Sequence, residues 1–76
     1  MCLSLPGRVL SVEDVDPAFR CGCVDFRGVR RTINLALAPE VKAGDYVLVH
    51  VGVAIARVSP EEAARIYADF EEIGAL

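Results

Sequence analysis

The stretch YVLVHVGVAIARV, Tyr46 to Val58, sets the strongest limit on the fold. It holds two β-rich runs, Tyr46–Val51 and Val53–Val58, with Gly52 between them. β-Branched side chains crowd a helix but pack well on a pleated surface, so both runs are expected as strands. Alternation then puts Val47, Val49 and Val51 on one face and Tyr46, Leu48 and His50 on the other. Arg8 to Val12, Phe19 to Phe26 and Val29 to Leu35 have the same character. The acidic stretch EDVDP around Pro17 ends the first of these, and Arg27-Gly28 is the tight connection between the other two. Pro39 to Asp45 reads as a loop.

The period changes after Val58. Ser59-Pro60-Glu61-Glu62 supplies a capping oxygen, a proline at the first helical position and a glutamate at the third, which together form a capping box. Ala63, Ile66, Tyr67, Phe70 and Ile73 recur at helical spacing, and Gly74 is the expected stop. The 76 residues are therefore read as one mostly β domain. Its expected form is a small five-stranded antiparallel barrel over about residues 1–58, similar to the oligonucleotide/oligosaccharide-binding fold, with a C-terminal α-helix over about residues 60–73. A domain of this size hides only roughly 60% of its unfolded surface, so its stability is a few kcal/mol.

At the N-terminus, Leu3 and Leu5 alternate with Cys2 and Ser4. An extended segment would press the leucines inward and present the thiol on the other face. Pro6 biases Leu5 toward extended geometry, and Gly7 permits a turn. Trimming of the initiator methionine would leave Cys2 with a free amine beside its thiol, and a neighbouring ammonium favours the thiolate. Thiolates suit zinc, copper(I) and iron. The plain alternative is a small apolar residue at a chain end, and the residues alone leave both open.

His50 is the only histidine. Neutral imidazole can bind a metal or hold a hydrogen bond near pH 7, but a partly exposed strand histidine is the simpler reading. Cys21 and Cys23, separated by Gly22, put two thiols on one strand face. With Cys2 and His50 they make a chemically acceptable zinc set. A CGC triplet is not a paired CxxC knuckle, however, and two small strand residues packed near Phe19 is the favoured reading. Arg20, Arg27, Arg30 and Arg31 against Asp25 leave residues 19–34 with a local charge of +3. That is either a docking patch or, as favoured here, hairpin edge charge that discourages sheet aggregation.

Overall the chain has Lys+Arg 8 against Asp+Glu 11 and a net charge of -3. A general nucleic-acid or acidic-membrane binder is normally basic, so neither partner is expected. No apolar run approaches the roughly 18 residues of a membrane span, and no secretory leader or lipoprotein anchor is recognised. A cytoplasmic location is expected, with the three cysteines reduced rather than paired. There is no nucleophile–base motif, phosphate-cradling glycine loop or HExxH signature, so the expectation is a carrier or adaptor rather than an enzyme.

The MC start with Pro6, the VLVHVGVAIARV segment with His50 and Gly52, the stretch GVRRTINLAL from Gly28 to Leu37, and an acidic helix after a small barrel together resemble the HypC/HupF hydrogenase assembly chaperones. The resemblance covers essentially the whole chain. It implies a chaperone for maturation of nickel–iron hydrogenases. It also implies two partners, a HypD-type iron–sulfur scaffold protein and the hydrogenase large-subunit precursor. The implied transient cargo is iron carrying cyanide and carbon monoxide ligands. On this resemblance the family's essential cysteine maps onto Cys2 and its histidine onto His50. Leu3, Leu5 and Pro6, beside Cys2, are expected at the partner surface. Cys21 and Cys23 fall outside the family pattern and receive no role. The loop from Ala38 to Asp45 is short for the family and leaves the client hydrogenase open. Two competing readings stand beside this one: a zinc-stabilised adaptor using Cys2, Cys21, Cys23 and His50, and a barrel that binds single-stranded nucleic acid. Few aromatics (Phe19, Phe26, Tyr46) weigh against the second.

Overall fold

The computed structural model describes residues 5–14, 16 and 19–74. In chain order the elements are β1 (Leu5–Glu13), β2 (Cys21–Phe26), β3 (Val29–Asn34), β4 (Tyr46–His50), β5 (Val53–Val58) and α1 (Pro60–Glu72). The strands form a closed barrel in the order β1-β2-β3-β5-β4, the mostly β architecture expected from the alternating runs. One contact departs from the antiparallel expectation. β3 meets β5 in parallel, and their register consists of the single pair Asn34↔Val53.

The first strand begins earlier than Arg8 because Pro6 and Gly7 lie inside it, paired with Leu48 and Val47. Gly7 therefore makes no turn. Its lack of a side chain serves close packing, since a Cβ there would fall 2.4 Å from Val24 Cγ1 and 2.7 Å from Phe26 Cε1. Gly22 plays the same part where β1 and β2 cross, with Ser11 O only 2.2 Å from the Cβ position. The second strand starts at Cys21 rather than Phe19. The Phe19 N–H donates to Asp16 O at 2.8 Å in a local turn, and the ring is left 76% exposed.

The two tight hairpins, β2–β3 and β4–β5, each close through two residues of positive φ, Arg27 (54°) with Gly28 (101°) and Val51 (51°) with Gly52 (77°). This is the turn pattern whose twist matches that of the flanking strands. It also changes the expected face of one valine. Val47 and Val49 point into the core, whereas Val51 sits on the turn and is 71% exposed. The barrel interior is filled by Val9, Val24, Ile33, Leu35, Val47 and Ala54, with Ala38 and Val41 of the following loop packed against them.

The capping box of α1 is present. The Ser59 Oγ accepts from the Glu62 N–H at 3.1 Å, and the Ser59 N–H donates to Glu62 Oε1 at 3.2 Å. The latter bond chiefly holds the Glu62 carboxyl below its ordinary value. The apolar stripe is only partly used. Ala63 is buried, Ile66, Tyr67 and Phe70 are half-buried, and Ile73 is exposed. Polar handles do the rest of the docking. The Tyr67 hydroxyl donates to the Pro6 carbonyl of β1. The Arg27 guanidinium lies 5.0 Å from the centroid of the Tyr67 ring and pairs with Glu71 at 3.2 Å. Burial is the main influence on the Tyr67 hydroxyl and pushes its pKa up.

Candidate partner-docking site at the barrel mouth

Cys2 and Leu3, two of the residues singled out from the sequence, lie outside the described residues. The others fall at one end of the barrel. Leu5 is half-buried and pairs with Val49, the neighbour of His50, while Pro6 is buried beside Leu48. His50 ends β4 opposite Val53 and is itself half-buried. Among the described residues its ring makes no hydrogen bond, so its nitrogens are available to a ligand or partner. The expected face for His50, away from the core valines, is the observed one.

The same end carries a cleft of about 370 Å³ lined by Leu5, Phe26, Val29, Val49 and Val51. Its construction follows from the two hairpins. Phe26 and Val29 face each other across the first turn, on the inward side shared with Val24. Val49 comes from the inward face of β4, and the second turn pushes Val51 over the opening. Val29 is 49% exposed and Val51 71% exposed. Clustered exposed apolar side chains around a concavity mark an interaction site rather than a scattered surface. The sequence reading placed partner contact at Leu5 and Pro6 but missed this cleft. The signal was the short spacing of valine and phenylalanine around the two turns, which only the barrel brings together.

The arginine cluster divides. Arg20 is buried. Its Nη1 donates to Ala38 O at 2.7 Å and its Nη2 to Val41 O, and its Nε lies 3.6 Å from Asp14 Oδ2. It therefore staples the loop after β3 to the barrel and takes no part in a surface patch. Arg27 belongs to the helix contact. Only Arg30 and Arg31 remain exposed on β3 without an ion pair among the described residues.

The proposed zinc set is not brought together. Cys21 and Cys23 are half-buried free thiols on the outward face of β2. Cys21 pairs with Asn34, Asn34 with Val53, and Val53 with His50. Three strand spacings around the barrel wall thus separate the thiol from the imidazole, whereas the ligands of one tetrahedral ion must converge on a single point. Among the described residues, no three His, Cys, Asp or Glu side chains converge on a metal position. Phe19, the expected packing neighbour of the two thiols, is itself 76% exposed. No helix of the described residues is long and apolar enough to cross a membrane.

The sequence pattern of the HupF/HypC family matches residues 1–70. The chain belongs to the HupF/HypC family. Among its relatives, the hydrogenase maturation factor HypC of Synechocystis sp. is 51% identical over 75 residues, covering 97% of this chain and 99% of the relative. The hydrogenase maturation factor HypC of Cupriavidus necator is 47% identical over 73 residues, covering 96% and 77%. That of Azotobacter chroococcum is 41% identical over 76 residues, covering 100% and 86%. The resemblance read from the MC start, His50 and Gly52 is thereby borne out. In this HupF/HypC chain, His50, Leu5 and Pro6 share one barrel end with an apolar cleft, and Cys21 and Cys23 stand apart from it.

Proposed function

We propose that this chain is a hydrogenase maturation factor and that it works as a carrier. With a HypD-type iron–sulfur scaffold protein it takes up iron bearing cyanide and carbon monoxide ligands, and it delivers that iron to the large-subunit precursor of a nickel–iron hydrogenase. The observation that carries the reading is the 51% identity with a hydrogenase maturation factor along nearly the full length of both chains. The iron is cargo in transit between proteins, and the reading requires no turnover by the chain itself.

Its place in the chain supports a role for Cys2. Cys2 precedes Leu5 by three residues in the sequence, and Leu5 pairs with Val49 beside His50. Iron with π-accepting diatomic ligands is comparatively soft, and a thiolate is a suitable temporary ligand for it. A single thiolate near a chain end releases its metal by exchange with a recipient's thiolates, which a closed four-ligand cage resists. In this reading Cys2 binds the iron or bonds within the client's centre. His50 assists by a hydrogen bond or by transient ligation, and Leu3, Leu5 and Pro6 meet the partner. Such a thiol operates in a reducing compartment, in accord with a cytoplasmic location.

The test is maturation of a nickel–iron hydrogenase in cells carrying Cys2→Ala. The expected result is loss of active hydrogenase while the variant keeps the circular dichroism and melting temperature of the parent. Full maturation would refute the thiol's role. Oxygen-free co-purification followed by infrared spectroscopy for bound cyanide and carbon monoxide reads the cargo directly, and complexes lacking those bands would refute the carrier. His50→Ala should cause a smaller loss, and unaltered iron content and partner binding would remove it from the site.

A further inference from the structure

The barrel wall between β3 and β5 is held by the one pair Asn34↔Val53. Beyond that pair β3 has no strand neighbour on its outer side among the described residues, and from Val29 to Thr32 its residues are exposed. The direction of its peptide groups can be read from Asn34, whose N–H points away from β2 and donates to Gly52 O at 3.0 Å. Strand peptide groups alternate with a period of two, so the N–H and C=O of Arg30 and Thr32 also point outward. Among the described residues only one of these groups has a partner. The Arg30 carbonyl accepts from Arg31's own Nη1 at 2.9 Å.

This free edge borders the apolar cleft, because Val29 belongs to both. We propose that the edge of β3 and the cleft together take an extended, acidic segment of a partner protein by strand addition. Its backbone pairs with the outward groups of Arg30 and Thr32, and an apolar side chain on its inner face enters between Leu5, Val29 and Val51. Carboxylates on the segment's outer face meet Arg30, whereas Arg31 shares the inner face with Val29. The proposal deepens the carrier reading and rests on it only in requiring a protein partner.

Charge chooses the occupant. Arg30 stands opposite Asp25, but the Asp25 carboxylate accepts from the Gly28 N–H at 3.0 Å and forms no ion pair with Arg30 among the described residues. Pairing with β3 of a second copy would set these arginines against their equivalents, and like charges across strands are destabilising. Arginines that merely guard an edge need no apolar opening beside them. Here the opening is kept by Val51, a β-branched residue held at positive φ. An acidic strand is the occupant that uses the backbone groups, the cleft and the Arg30 charge at once.

The test uses the full chain, isotope-labelled, with a short blocked peptide alternating valine and glutamate, and the same peptide with lysine for glutamate. The glutamate peptide should bind, lose affinity as salt rises, and slow amide exchange at Arg30 and Thr32 by about tenfold or more. Thr32→Pro removes an outward donor without touching the bonds to β2 and should abolish binding. The doubly substituted Arg30→Glu, Arg31→Glu chain, altered only on the surface, should exchange its preference to the lysine peptide. Four results would each overturn the proposal. They are no binding, equal binding of both peptides by the parent chain, a Thr32 amide already protected in the free protein through the chain's own N-terminus, or protection that rises with protein concentration through a second copy. The two ideas separate cleanly. If the peptide fails to bind while Cys2→Ala blocks maturation, only strand addition falls. If the peptide binds while Cys2→Ala matures hydrogenase fully, only the carrier reading falls.

Discussion

Val51→Asn should make this protein more stable although it removes an apolar side chain. Val51 has φ 51°, in the left-handed region, where a side chain with a Cβ costs about 1–2 kcal/mol and a β-branched residue is a clear outlier. Asparagine tolerates that region, and Asn-Gly is a favoured pair for this two-residue turn. Against the relief stands lost packing. Full burial of a valine is worth about 1.5–3 kcal/mol, but Val51 is 71% exposed, so only about a quarter to a third of that is at stake. The net gain is about 0.5–1 kcal/mol, which for a domain of this size raises the melting temperature by about 2–8 °C. Urea titration with an unchanged m-value is the assay, and Val51→Ala is the control, since it loses the packing and keeps most of the strain. The reasoning is refuted if the asparagine variant is no more stable than the alanine variant. The gain in stability should come with weaker partner binding, because the cleft loses part of its apolar rim.

Three further expectations follow from named contacts. Arg20→Met leaves the carbonyls of Ala38 and Val41 without their donor; it should cost about 2–4 kcal/mol, read by urea titration, and a cost below 1 kcal/mol would contradict the staple. Tyr67→Phe removes the bond to the Pro6 carbonyl and should cost about 1 kcal/mol at neutral pH. The Tyr67 pKa is raised in the folded protein, chiefly by burial, so its contribution is complete below the ordinary value of 10.0 and is lost as pH rises through the folded value; alkaline melting curves of parent and variant should converge there. Ser59→Ala should lower helix content in circular dichroism. The Glu62 pKa is lowered, first by its backbone hydrogen bond from Ser59, so the contribution of that bond is present above 4.5 and is lost as pH falls through the depressed folded value, a dependence Glu62→Gln should remove.

The elements were legible where local chemistry determines them. Ser59, Pro60 and Glu62 define the start of the helix by short-range hydrogen bonds, and Gly28 and Gly52 mark turns that nearby valines frame. His50 on the face opposite Val47 and Val49 follows from alternation alone. The reading failed where a distant partner decides. Arg20 looks like surface charge until the loop carrying Ala38 and Val41 folds over it. Gly7 resembles a turn residue until Val24 and Phe26 pack against its Cα. The cleft needs residues from β1, both hairpin turns and β4, a set that only the strand order assembles. Cys2 and Leu3 were marked by the sequence pattern rather than by their surroundings.

The hydroxyl of Tyr67 and the carbonyl of Pro6 are 61 positions apart in sequence, yet their bond makes the last element a brace for the first strand. Force applied near Leu5 by a docking protein is therefore felt by the helix, and loosening the helix slackens the strand. The bond ties the first strand to the last helix, so a substitution that frees Tyr67 is expected to loosen the β1 segment around Pro6 as well.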